Sequence, residues 1–174
     1  TKVQELPNGD IVFSGHSASF DGDITLNFGD FDLSLFKLNS NGTIVWEQNY
    51  GGQQSEIGID LLINQEGHIF IAGNTQSLSY DVSKNAGFSD AWVLEINASN
   101  GGIIWEATHG SEFSDYATSL KMGANNQLYL MGTTNAPMFH GEQSNGNDDA
   151  WLAQVNSPES INHLALFGGD GFES

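Results

Sequence analysis

Ile69-Phe70-Ile71-Ala72-Gly73 is a short apolar run closed by a glycine, and the 174-residue chain carries three versions of it. The others are Ile11-Val12-Phe13-Ser14-Gly15 and Leu128-Tyr129-Leu130-Met131-Gly132, so the closing glycines stand 58 and 59 residues apart. Three further anchors keep that step. An aspartate opens a second apolar run at Asp32-Leu33-Ser34-Leu35, Asp90-Ala91-Trp92-Val93 and Asp149-Ala150-Trp151-Leu152. A turn then leads to Trp46, Trp105 and Leu164. Last comes a glycine with an acid five residues on: Gly51 and Glu56, Gly110 and Asp115, Gly168 and Glu173. Self-similarity at a fixed period of this length marks an architecture that reuses one supersecondary unit.

Each unit is predicted to hold four strands, a to d. In the second copy they fall at about residues 57–63, 68–74, 91–97 and 103–109. Asn8-Gly9, Glu66-Gly67 and Asn125-Asn126 separate a from b; Asn41-Gly42 and Asn100-Gly101 separate c from d. Such pairs suit tight hairpins, where glycine or asparagine accepts a positive φ. Strands b and c are apolar on both faces, as in Trp92-Val93-Leu94. A sheet with one wet face would alternate instead. Each small sheet is therefore expected to lie between two neighbours.

The reading is all-β: a β-propeller of three four-stranded antiparallel blades, at about 1–58, 59–117 and 118–174. Closed propellers hold about four to eight blades. Three leave two apolar faces open, so the chain is expected to be a partial propeller or half of a six-bladed ring. The cover is then further blades of the same parent chain or a head-to-tail homodimer.

At these residues the chain resembles the secreted bacterial β-propeller repeats of long period found in surface proteins of Bacteroidetes and marine bacteria. The first copy carries Asp21-Gly22-Asp23, Gly29-Asp30-Phe31-Asp32, Asn41-Gly42, Trp46, Gly51-Gly52 and Glu56. The second carries Asp81, Gly87-Phe88-Ser89-Asp90-Ala91-Trp92, Gly101, Trp105, Gly110 and Asp115. The third keeps Gly146-Asn147-Asp148-Asp149-Ala150-Trp151 and Gly168-Gly169, but departs at Leu164, where tryptophan is expected, and at Pro158, where a turn glycine would sit. The resemblance implies an extracellular or cell-surface setting. Gly42-x-x-x-Trp46 and Gly101-x-x-x-Trp105 are also similar to the tryptophan-docking motif of quinoprotein-type propellers, which implies indoles packed against a neighbouring blade. No quinone site accompanies it.

With 22 acidic and 4 basic side chains the formal charge is −18. Phosphate contacts need Lys and Arg, so nucleic acid is not an expected partner, nor is an anionic membrane surface. No apolar run is long enough for a membrane span. The acidity suits bound Ca²⁺, or simply solubility in a salty medium. With no cysteine, disulfides, thiolate zinc sites and cysteine nucleophiles are excluded.

Variation between copies concentrates in the b–c loops, where binding residues would sit. Asp21, Asp23, Asn27 and Asp30 place oxygen donors close together as a candidate Ca²⁺ site, without EF-hand spacing. Local Asx-turns are the alternative. Phe20, Tyr80, Phe139 and His140 are the candidate ligand contacts for a protein or glycan at this loop face. Asp32, Asp90 and Asp149 recur in every copy, as do Glu56, Asp115 and Glu173; acids repeated in this way are expected to brace turns. The five histidines lack metal-binding spacing and are expected to serve packing or surface roles. No catalytic constellation stands out, so a non-catalytic scaffold or adhesive module is expected, and not an enzyme. The alternatives are a glycan-binding propeller, or part of a larger propeller enzyme whose site lies in other blades.

Overall fold

The computed structural model describes residues 2–156 and 160–169, and over these the chain is all-β apart from one 3-10 turn at Ala124–Asn126. Pro158 and Glu173 lie outside the described residues. Sheet I comprises β1 (Lys2–Glu5), β2 (Ile11–Ser17), β3 (Asp32–Leu38) and β4 (Ile44–Tyr50). Sheet II comprises β5 (Glu56–Ile63), β6 (Ile69–Thr75), β7 (Asp90–Ile96) and β8 (Ile103–His109). Next come β9 (Asp115–Met122) and β10 (Leu128–Thr134), then a small hairpin of β11 (Met138–Phe139) and β12 (Glu142–Gln143). The last strands are β13 (Asp149–Asn156) and β14 (Ser160–Phe167), and sheet III runs β9-β10-β13-β14. All three sheets are four-stranded and antiparallel, with strands neighbouring in chain order. Residues 51–55 and 110–114 link the sheets, a few positions before the expected blade boundaries.

Turn chemistry sets the register as predicted. Gly67 turns β5 into β6 at φ 85°, and Gly42 turns β3 into β4 at φ 82°, a region that strains other side chains.

Burial follows each sheet's place in the stack. Every residue of β7 is buried, because sheet II is covered on both faces. In β13 buried and half-buried residues alternate, because only one face of sheet III meets a neighbour. One core joins Val12, Leu33 and Leu35 of sheet I to Leu61, Ile71, Trp92 and Leu94 of sheet II. The other joins Phe70, Ala72 and Val93 of sheet II to Leu120, Leu130, Trp151 and Ala153 of sheet III. Each fully buried large apolar side chain contributes about 1.5–3 kcal/mol. The inner strands carry most of this stacking: β5 lies across β1, β2 and β3, and β9 lies across β5, β6 and β7.

The strand-b glycine has a packing reason. A Cβ on Gly132 would run into the Trp151 indole and the Tyr116 carbonyl, and one on Gly73 into the Ile57 carbonyl at 2.7 Å. At Gly15 nothing lies within 4 Å of such a Cβ.

One alignment from the sequence needs correction. Trp46 and Trp105 are buried as expected, at 9% and 6% exposure, but Leu164 does not hold their place and is 46% exposed. In sheets I and II the last strand skips a residue just before the tryptophan, at Val45 and Ile104. In β14 the slip moves up: Leu152 pairs with Ala165 and Ala153 with His163, leaving Leu164 out of register. Opposite Gln154, Asn162 holds the ladder place of the tryptophans, and His163, opposite Ala153, turns towards sheet II.

Both ends of the stack stay apolar. On the outer face of sheet I, Phe13 and Phe36 stack with centroids 4.9 Å apart. On the outer face of sheet III, Tyr129, Met131 and Leu152 line a hollow of about 440 Å³.

Candidate functional site

The b–c loops and the inter-sheet links meet at one end of the stack, and buried carboxylates organise it. Asp32 accepts from the Phe28 amide at 2.5 Å, Asp90 from the Ala86 amide at 2.7 Å, and Asp149 from the Asn145 amide at 2.6 Å. Each ties its loop back four residues. Their other oxygens, Oδ1, are buried without a partner and press on Gly51, Gly110 and Gly168. The link acids work alongside. Glu56 accepts from the Gly52 amide and the Thr75 hydroxyl, both at 2.7 Å. Asp115 accepts from the Ser111 amide at 2.5 Å and its hydroxyl at 2.8 Å. A Cβ on Gly51 would lie 2.5 Å from both Asp32 Oδ1 and Glu56 Oε2, so only glycine fits between the two carboxylates. Burial, with the nearby charge of Glu56, pushes Asp32 up to about 6 against the pull of the Phe28 amide. Burial and Asp115 do the same to Asp90. Among the described residues the repeated acids are turn braces.

The loop candidates scatter. Asp21, Asp23 and Asp30 are exposed, while Asn27 is engaged locally, donating to the Ser17 carbonyl at 3.1 Å and accepting from the Gly29 amide at 2.9 Å. Asn85 makes the same bond to Gly87 in the second loop at 3.0 Å, so the motif is an Asx-turn. Among the described residues no three His, Cys, Asp or Glu side chains are grouped to hold a metal ion. Phe20 is 81% exposed. Tyr80 is 65% exposed, sits at φ 55°, and leans on Phe28 with centroids 5.1 Å apart. Phe139 is fully buried, so it is not the surface contact expected for it.

Phe139 is instead the floor of a cluster that sequence spacing does not reveal. His109 at the end of β8 lies 4.3 Å, centroid to centroid, from His140, with the rings 3° from parallel. His163 lies 5.3 Å from His140 and 5.9 Å from His109, at 17° and 16°. Phe139 meets His109 and His163 edge-on, at 5.3 and 5.2 Å, and Trp151 closes on His109 at 4.9 Å. His109 Nε2, both His163 nitrogens and Trp151 Nε1 are buried without a hydrogen bond. Lone pairs of imidazole lie in the ring plane, so near-parallel rings do not converge on one metal ion. Burial, reinforced by the two neighbouring imidazoles, pushes His109 down to about 3 and lowers His140 as well.

Fold and loop end together define an all-β repeat protein of successive four-stranded antiparallel sheets. No family model matches the chain. It is similar to the regulatory protein FlaEY of Caulobacter vibrioides, 25% identical over 164 residues, a match covering 87% of this chain and 17% of that protein. The chain thus spans about a sixth of the length of this relative.

Proposed function

We propose that the chain is a run of three β-propeller blades serving as a non-catalytic interaction module of a larger extracellular or cell-surface protein. The observation that carries this reading is the mismatch of the two end faces with solvent. Tyr129, Met131 and Leu152 on sheet III occupy the positions of Phe70, Ala72 and Val93, which sheet II uses to cover its neighbour. Phe13 and Phe36 on sheet I occupy the positions of Ile71 and Leu94, which receive sheet I. Each end is one half of an interface already used inside the chain, so the fitting cover is another unit of this repeat, from the parent chain or a second copy. Closest stacking along the inner strands fits sheets set around an axis. The acidity and the resemblance to secreted repeats support the surface setting. The partial match to a much longer regulatory protein fits a module within a larger chain.

Sedimentation of the 174-residue chain against concentration tests this. Association is expected in the micromolar range and is weakened at least tenfold by Met131→Glu. A wild-type chain that stays monomeric at several hundred micromolar, or a mutant that associates as well, rejects the open-face reading.

A second reading rests on the exposed rings of Phe20 and of Tyr80, which leans on Phe28, at the loop end, where a sugar ring would stack. A glycan array without hits removes it.

A further inference from the structure

We propose that the imidazole stack of His109, His140 and His163 is an acid-released latch, holding the β11–β12 hairpin against the junction of sheets II and III while its rings are neutral. Four observations carry it. First, the three rings come from three separate elements: β8 of sheet II, the hairpin tip, and β14 of sheet III. The stack therefore joins parts that can separate. Second, the hairpin has few other anchors. Phe139 is buried in the stack, and Glu142 accepts from the Leu166 amide at 3.1 Å. Third, the tip is His140-Gly141, at φ 47° and 91°. This is the two-residue turn that favours asparagine or glycine, so a histidine is held in backbone strain while its ring is stacked. Fourth, the stack occurs once among the described residues: Tyr50 holds in sheet I the place of His109, and Glu47 and Glu106 hold the ladder place of His163.

Charges facing the stack are few. Glu142 on β12 lies 3.3 Å from His163 Nε2, and Asp115 at the start of β9 attracts a proton to His140. Asp90 and Asp149 open the neighbouring strands, each with one oxygen bound to its own loop. Glu142 can offset one added proton. Two protonated rings within 6 Å repel, and His109 has no buried partner for a charge. Release of the hairpin returns His140 to water and uncovers His109, and imidazoles in water protonate near pH 6.5. Proton uptake accompanies release, so docking is complete above pH 6.5 and weakens as pH falls below it.

Hydrogen–deuterium exchange of the 174-residue chain, read on peptides covering 136–146 at pH 7.5 and 5.0 and corrected for chemical exchange, tests the latch. Protection of this segment is expected to fall roughly tenfold at pH 5.0, while β6 and β7 keep theirs. The double variant His109→Tyr, His163→Gln, which removes two of the three imidazoles, should reduce the pH response to under about twofold. Unchanged protection in the wild type, or a full response in the double variant, overturns the proposal. Should that variant not fold, NMR titration of the wild-type ring protons replaces it. His109 is expected to stay neutral until the hairpin loses protection; titration near pH 6.5 with protection intact overturns the latch.

Discussion

The two junctions between sheets share a backbone frame and differ in chemistry. Between sheets I and II the outer contact is hydrogen-bonded. The Trp46 indole donates to the Ala98 carbonyl at 3.2 Å, and the Tyr50 hydroxyl to the Gly101 carbonyl at 2.6 Å. Lys37 adds a bond to Ala98 at 3.0 Å and an ion pair to Asp10 at the same distance. Burial, then the charges of Asp81 and Glu47, push the Tyr50 hydroxyl far above its ordinary range, so it stays a donor. Between sheets II and III direct bonds are made at the inner strands: Asn74 accepts from the Ala117 amide at 2.7 Å and Asp60 from the Leu120 amide at 3.0 Å. Farther out, Trp105, the counterpart of Trp46, donates to Glu95 of its own sheet, and His109 fills the place of Tyr50. The lesson is that repeat geometry fixes where a contact falls, while residue type decides whether it responds to protons.

The sharpest way to break the comparison is at the strand-b glycines. Gly132→Ala drives a methyl into Trp151 and the Tyr116 carbonyl and should cost about 2–3 kcal/mol in urea denaturation. Gly15→Ala, with open space beside it, should be neutral or stabilising by about 0.5 kcal/mol. Equal losses at both sites would remove the packing account of the glycine.

A pH series comes next. Asp32, raised to about 6 when folded from 3.8 when unfolded, favours folding fully below pH 3.8 and loses that contribution as pH rises through 6. Asp32→Asn keeps the oxygen that binds the Phe28 amide and should be about 1–2 kcal/mol more stable than wild type at pH 8, without advantage at pH 4. His109 runs the other way: lowered to about 3, it favours folding above 6.5 and loses that contribution as pH falls towards 3. Melting curves in which Asp32→Asn and His109→Tyr change the pH dependence in the same direction would erase the contrast. The smallest effect is at Tyr50→Phe, which leaves the Gly101 carbonyl without its donor and should cost about 1 kcal/mol at any pH between 5 and 9.

Period, strand order, hairpin turns and the acid braces were legible in the sequence because each recurs at its own step. Asp32, Asp90 and Asp149 bond loop amides as their repetition suggested. What recurs only in part was not legible. The bulge in the last strand sits elsewhere in β14 than in β4 and β8, so step-counting selected Leu164 where the ladder places Asn162. Phe139 looked like Phe20 and Tyr80 by loop position, yet the short hairpin after β10 turns it inward. The histidine stack draws on residues 109, 140 and 163, with no local spacing to announce it.

Among the described residues, close packing joins only successive sheets, I with II and II with III. Such an array is quasi-one-dimensional, and its stability is a sum of unit terms and nearest-neighbour couplings. A whole unit of 58 or 59 residues can then be duplicated or lost in evolution with each surviving junction unchanged. Sheet II, coupled on both sides, is the unit whose opening breaks both couplings at once, while the outer sheets unzip one at a time.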